Sequence, residues 1–360
     1  TWLTGTQTDG EGFANFSHLV PLSHPLGLIV VTLVFNGSAD LLSTQVNLST
    51  VTIRSTTVMI VDPIAANPIA GTSFNVSGRV LSDNGSGLEQ RDGSVLPSNI
   101  LFSINGQPVG FTVTGGSVTA GGLWNASLLL GEAFEAGNNS LEASYVPGVN
   151  YYIGSTSNTS FDSRGFSTLV FVKPSLDGIG SPSLNDRTER GESVTVQVLL
   201  RDNTLSPISA QQVLVRLIGT DVSTTLTTFE NGTAYGSLVV PSNQSVGFND
   251  LEVIFSGTPG TTGILGSNTS TQFVVLAQTG IVITSSPATL VAGDSFSVEG
   301  ILLDDLNQSL AIDGVPSLAI IHLLIDGVPV SSVETNASNG NFSVAWTLPE
   351  NTAAGAHQIE

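Results

Sequence analysis

The 360-residue chain contains no cysteine, so its fold rests on neither disulfides nor thiolate-bound metal. Lysine is nearly missing as well. Lys173 is the single one, and the 9 cationic residues face 29 acidic ones for a formal net charge of −20. A surface that grips a polyanion needs clustered cations, which makes nucleic acid and anionic membrane poor partners. Charge of either sign is scarce, at 11% of residues, where an ordinary soluble domain carries about 25%. Solubility therefore falls to Ser, Thr and Asn, or to something attached to them. Long apolar runs are absent too: the longest, Leu26 to Phe35 with Thr32 inside it, is too short for a membrane-spanning helix and suits a buried strand. No signal peptide, lipidation motif or tail anchor is visible. The chain opens on Thr1 rather than Met, as expected of a processed product or of a window from a longer protein.

Catalytic signatures are missing in the same way. There is no G-x-S-x-G, no H-E-x-x-H and no phosphate-cradling glycine loop. The four histidines, His18, His24, His322 and His357, are scattered; His18 falls in what reads as an inward strand slot, a packed or rim position rather than a ligand. Carboxylates are too few and dispersed to nominate a general acid/base pair. The expectation is no enzyme, with no catalytic and no cofactor-binding residue.

What is present is a repeat. Gly232, Pro241 and Gly247 precede Leu251, Val253 and Phe255 on alternate positions, and the same skeleton recurs from Gly12, Gly122 and Gly340. Those four glycines lie 110, 110 and 108 residues apart, a period that marks tandem modules. The other half of each unit repeats as "GTSFNVSGRV" (71–80), "GESVTVQVLL" (191–200) and "GDSFSVEGIL" (293–302). Each runs into a polar turn, Ser82-Asp83-Asn84, Asp202-Asn203 and Asp304-Asp305. A further strand pair turns at Asn105-Gly106, at Asp326-Gly327 and, more weakly, at Ile218-Gly219; Asx-Gly between apolar runs is a strong hairpin signal. Seven short strands per unit, turns every 8–12 positions and no helical period predict an all-β chain of antiparallel sandwiches with a repeat of about 110 residues. Alternation assigns Trp124, Ala126, Leu128 and Leu130, and likewise Phe342, Val344, Trp346 and Leu348, to the interior.

These residues resemble the immunoglobulin-like repeat domains of prokaryotic, especially archaeal, surface and S-layer-type proteins. The G-[TED]-S-[FV]-x-V strand, the I-[ND]-G-x-P-V hairpin and the alternating strand near each unit's end carry the resemblance. It implies tandem immunoglobulin-like sandwiches over nearly the whole chain. Boundaries near 55, 166 and 278 divide it into the final strands of one module (1–54), two modules (55–165 and 166–277) and the first part of another (278–360). Junctions such as "STVTIRSTTVMIVDP" (49–63) carry no flexible tether, as expected of a semi-rigid array.

Of 24 asparagines, 14 lie in Asn-x-Ser/Thr: Asn15, Asn36, Asn47, Asn75, Asn84, Asn125, Asn138, Asn158, Asn231, Asn243, Asn268, Asn307, Asn336 and Asn341. With 82 Ser and Thr in 360 residues, chance gives roughly five or six. Asn47, Asn158 and Asn268 share nearly one column before the last strand of their units, and Asn15 and Asn125 share an outward one. Covalent N-glycans are the expected modification. The acidic turns at Asp83, Asp202, Asp304 and Asp305 are candidate Ca²⁺ ligands, set against the ordinary use of Asp and Asn as turn caps.

The expected role is structural and extracellular: S-layer, stalk or filament material at a cell surface, partnered by copies of itself or other surface domains and not membrane-spanning in this segment. An adhesin or carbohydrate-binding protein is the alternative, and would need an exposed aromatic platform in one unit; Trp2, Trp124 and Trp346 do not form one. Two further alternatives are an accessory region of a secreted enzyme and a filament subunit whose end domains are completed by strand addition from neighbouring chains.

Overall fold

The computed structural model describes residues 5–65, 67–88, 98–109, 111–112, 121–148, 151–174 and 186–360; Trp2 lies outside them. Every regular element among these residues is a strand, and no helix is long and apolar enough to cross a membrane. The chain divides into two compact units, Thr1–Phe166 with Pro259–Ile264, and Ser167–Thr258 with Leu265–Glu360.

In the first unit the strands are β1 (Gly27–Phe35), β2 (Thr44–Ile53), β3 (Thr57–Val61), β4 (Ser73–Ser82) and β5 (Ser98–Ile104). There follow β6 (Gln107–Pro108), β7 (Phe111–Thr112), β8 (Leu123–Leu129), β9 (Gly137–Pro147) and β10 (Ser155–Ser163). One sheet runs β3-β4-β8-β7 and the other β10-β9-β5-β6, with antiparallel ladders throughout. That is the two-sheet order of a constant-type immunoglobulin sandwich, reached without the disulfide. Period-2 alternation fills its centre: Phe74, Val76 and Val80 with Trp124, Ala126 and Leu128 from one sheet meet Ile100, Phe102, Ile104, Leu141, Ala143 and Tyr145 from the other. Phe102 and Trp124 meet with ring centroids 5.6 Å apart.

The second unit contains β11 (Gly165–Lys173), β12 (Arg187–Glu189), β13 (Ser193–Asp202), β14 (Gln212–Leu217) and β15 (Ser223–Thr227). It continues with β16 (Thr233–Val239), β17 (Gly247–Gly257), β18 (Ile264–Leu276), β19 (Thr279–Ser285) and β20 (Ser295–Asp304). The last are β21 (Ala311–Ile312), β22 (Val315–Pro316), β23 (Ile320–Ile325), β24 (Val328–Glu334) and β25 (Asn341–Thr347). Strands β15-β14-β17-β18-β11-β13-β16 form one continuous sheet path that folds over its own core, with β12 added in parallel to β18. Val194, Val196, Val198 and Leu200 of β13 are buried, as are Val213, Val215 and Leu217 of β14 and Leu251, Val253 and Phe255 of β17.

The β19-β20-β25 sheet and the β23-β24 hairpin enclose a smaller cluster of Phe296, Val298, Leu323 and Val344. Of the residues expected inside β25 and just beyond it, Phe342 and Val344 are buried, whereas Trp346 and Leu348 are only half-buried. The facing layer is thin there: besides β23 and β24 it offers a single bridge, Ile325 to Ile359.

Both strong Asx-Gly turns have positive φ at the two central positions, Asn105 (51°) and Gly106 (77°), Asp326 (52°) and Gly327 (77°), the type I′ geometry that matches strand twist. A third, Asp313-Gly314 (52° and 75°), joins β21 to β22; the sequence reading did not single it out.

The repeating glycine has a physical cause. Gly122, Gly232 and Gly340 all have φ between 71° and 77°. A Cβ on them would meet the carbonyl oxygens of Val80, Leu200 and Leu302 at 2.2, 2.5 and 2.2 Å. Each glycine carbonyl in turn accepts the N–H of that same residue, at 2.8, 2.9 and 3.0 Å. The glycine thus seats β8, β16 and β25 against β4, β13 and β20. Gly12 also has positive φ, 89°, but nothing lies within 4 Å of its Cβ position. Here the structure corrects the sequence reading. No strand begins directly after Gly12, where 13–26 carry none; His18 is exposed rather than in an inward slot, and Asn15 lies on no strand face.

A methyl group at Gly232 brings both left-handed strain and a backbone clash. Gly232→Ala is expected to destabilise its unit by at least about 2 kcal/mol, and Gly12→Ala to cost less than half as much, as read by urea unfolding.

Candidate functional site

The polar turns after β4, β13 and β20 share one geometry, one residue out of the register expected from sequence. Ser82, Asp202 and Asp304 are equivalent: their N–H groups donate to Ser86, Ser206 and Gln308 carbonyls at 2.9 Å or less, and their carbonyls accept from Gly85, Leu205 and Asn307. Asp83 therefore aligns with Asn203 and Asp305. The carboxylates close their own turns. Asp202 Oδ1 accepts from Thr204 N–H (2.9 Å), Thr204 Oγ1 (2.7 Å) and Ser206 N–H (2.9 Å). Asp304 Oδ1 accepts from Leu306 N–H (2.9 Å) and Gln308 N–H (2.8 Å). Asp83 is exposed. Among the described residues no three His, Asp or Glu side chains come together as a metal-binding group.

Asp304 has a second task. Its Oδ2 accepts from the Arg190 guanidinium at 2.9 Å, which also reaches Asp305 Oδ1 at 2.7 Å and, through Nε, the Gln244 carbonyl at 2.7 Å. The Arg190 and Asp304 side chains are each 7% exposed. Nearby, Asp313 Oδ1 accepts the Phe248 N–H (2.7 Å), and its own N–H donates to the Val246 carbonyl (2.9 Å). Gln278 Nε2 donates to Glu189 Oε2 (2.8 Å). Together these tie the β11–β18 sandwich to the β19–β25 segment within one unit. Ala70 and Ala292 hold the column of Arg190 before their glycines, so these residues cannot repeat the clamp. That contrast was available in the sequence and went unread.

Of the histidines, His24 and His357 find partners. His24 Nδ1 lies 2.8 Å from the Pro25 carbonyl, and His322 is exposed on β23. His357 Nδ1 is 2.6 Å from Asp326 Oδ2 and its Nε2 2.8 Å from the Ala353 carbonyl. The Asp326 hydrogen bond, then the Ala353 carbonyl and the charge of Asp326, hold the imidazole pKa above its ordinary value. The pair flanks the backbone bonds by which Leu324 and Glu360 exchange N–H and C=O.

All fourteen sequon asparagines are exposed, whereas the buried asparagines Asn139 and Asn249 belong to no sequon. Asn249 instead donates to the Ser245 and Gly247 carbonyls, and Asn139 to Gly137 O and Ser163 Oγ. Asn47, Asn158 and Asn268 sit within β2, β10 and β18 rather than before them. Their amides differ. Asn138 and Asn268 spend Nδ2 on Asp162 (3.0 Å) and Glu252 (3.1 Å). Asn84, Asn231 and Asn336 instead accept at Oδ1 from the N–H two residues on, at 2.9, 3.0 and 2.9 Å.

One exposed aromatic pair stands out. Phe229 and Tyr235 are 51% and 66% exposed and stack at 5.3 Å and 28°. Sequence reasoning, attending to tryptophan, passed over them.

No family model and no curated protein matches the chain. Among solved structures it is similar to the Escherichia coli adhesin FdeC, at 16% identity over 84% of this chain and 90% of that one, TM-score 0.36. It is also similar to the I67–I69 I-band fragment of titin (12% identity, 84% and 92% covered, TM-score 0.40). A third is invasin, a bacterial integrin-binding protein (16%, 82% and 55%, TM-score 0.31). At these identities and scores nothing about function transfers. The assignment as a chain of tandem immunoglobulin-like sandwiches rests on its strand order.

Two outcomes are expected. Burial would raise the Asp304 carboxyl, but hydrogen bonds from Gln308, Arg190 and Leu306 and the arginine charge outweigh it, leaving the pKa below the ordinary 3.8. That stabilisation is complete above about 3.8 and is lost as pH falls through the lower, folded value. Acid titration of unfolding should therefore show a limb below pH 4 that Asp304→Asn flattens, and Arg190→Ala should cost about 3 kcal/mol at neutral pH by stranding a buried carboxylate. The His357 contribution has the opposite sign: present below the free histidine pKa, it is lost as pH rises through the raised one. Amide exchange at Leu324 and Glu360 should accelerate over that rise, beyond the ordinary base-catalysed increase, and His357→Gln should remove the excess.

Proposed function

We propose that the chain is a structural component of an extracellular surface, S-layer, stalk or filament material, built from stacked N-glycosylated immunoglobulin-like modules divided at about residues 55, 166 and 278. The carrying observation is that every sequon asparagine is exposed while the buried asparagines fall outside sequons. In glycosylation the Asn Nδ2 bonds to the anomeric carbon of a sugar carried on a lipid phosphate. The phosphate leaves with the electron pair, and the amide gives up one proton. Glycans would supply the hydration that 11% charge does not, and would shield strand edges from pairing with other chains. The interlocked residues around Arg190 suit a spacer that must hold neighbouring modules in register.

The adhesin or carbohydrate-binding reading has one observation in its favour, the exposed Phe229–Tyr235 stack. Positions equivalent to Tyr235, three residues after the other anchor glycines, are Asn15, Asn125 and Ser343, so this aromatic occurs in one module.

Site-mapped mass spectrometry of the natively produced protein tests the proposal. Hexose-bearing peptides are expected at most of the fourteen sites, with Asn84, Asn231 and Asn336 among the most fully occupied. Fourteen bare asparagines in surface-fraction material would overturn it.

A further inference from the structure

The Phe229–Tyr235 stack and the sequon between its members form one device. Residues Phe229-Glu230-Asn231-Gly232-Thr233 close a tight turn: Phe229 N–H donates to Thr233 O at 2.7 Å and Gly232 N–H to Phe229 O at 2.9 Å. Gly232 takes the left-handed φ of 77°. Asn231 Oδ1 is held by both the N–H and the hydroxyl of Thr233, at 3.0 and 2.6 Å. Its acceptor oxygen is thereby engaged, while Nδ2, the atom to which a glycan is joined, has no partner among the described residues. Phe229 lies two residues before Asn231 in the same turn, exposed and stacked on Tyr235.

Resting on the glycosylation reading above, we propose that the first sugar on Asn231 seats flat on the Phe229 ring, with Tyr235 as the second layer of the platform. A pyranose presents a face of axial C–H groups whose partial positive charge matches the negative face of an aromatic ring. The neutral stack has no cation with which to prefer an anionic ligand. A sugar tethered two residues away has an effective concentration in the millimolar range, so it occupies the ring ahead of a free glycan. The device explains why two large aromatics are left in water on a chain with few aromatics to spare. It also gives this sequon a role in holding its module together, since a docked sugar pins the turn that sets Gly232 against Leu200.

The test uses the full chain secreted from a eukaryotic cell line and trimmed to a single N-acetylglucosamine per site, beside Phe229→Ala and Asn231→Gln variants. Glycopeptide mass spectrometry reads occupancy, NMR reads the protons of the Asn231-linked sugar, and thermal unfolding reads its effect. The expected result is an upfield ring-current shift of those protons, abolished in Phe229→Ala. The sugar should also raise the midpoint by about 2–4 °C in the parent and by much less in Phe229→Ala. An occupied Asn231 with neither effect sinks the docking and leaves glycosylation standing. A bare Asn231 beside occupied neighbours sinks the glycosylation reading at this site, and the docking with it. Saturable, Tyr235-dependent binding of free oligosaccharide to the glycosylated parent would make the platform an open lectin site and overturn the assigned occupant.

Discussion

Everything in the two units depends on the seating of one strand against another. Where the strand after each anchor glycine of these two units pairs, a backbone carbonyl of its neighbour occupies the space a Cβ would need, so only glycine fits. Gly122, Gly232 and Gly340 sit 2.2–2.5 Å, measured from the Cβ they lack, from the oxygens of Val80, Leu200 and Leu302. Once β8, β16 and β25 are seated on β4, β13 and β20, their alternate side chains face the interior and the second sheet has a surface to close over. The same glycine at position 12 has nothing within 4 Å of its Cβ position, and no strand begins after it until Gly27.

A second constraint acts where sandwich meets following segment. Arg190 is buried among Asp304, Asp305 and the Gln244 carbonyl, an arrangement that a guanidinium fork satisfies and an ammonium does not. A buried ion pair is weak evidence of net stability but strong evidence of specificity, because breaking it strands a charge. The clamp fixes which surfaces of β11–β18 and β19–β25 meet. In a chain with only 9 cationic residues, spending one in this way points to register between modules as something the molecule needs.

The repeat period, the sheet class, the strong Asx-Gly hairpins and most inward residues were legible in the sequence because they are local: turn chemistry and period-2 alternation need no knowledge of partners. What was not legible is relational. The strand expected directly after Gly12 is absent before Gly27, and Trp346 is half-buried although its slot alternates inward. The acidic turns slipped by one residue because Ser82 stands where Asp202 and Asp304 do, yet its hydroxyl donates to Asn84 Oδ1 and the Ser86 carbonyl, and Asn84 takes over the acceptor role toward the Ser86 N–H. Arg190 was readable only by comparing columns and noticing a charge where Ala70 and Ala292 stand. The Phe229–Tyr235 stack was missed because the two residues are six apart, across a turn whose closure brings their rings together.

We propose that the chain acts as a series of separately closed modules. Force spectroscopy on the full chain tests it most directly. The account predicts discrete rupture peaks, each complete sandwich releasing about 35 nm of contour length for its 110 or so residues. Smooth, featureless extension at low force, or one rupture releasing the whole chain at once, would contradict it.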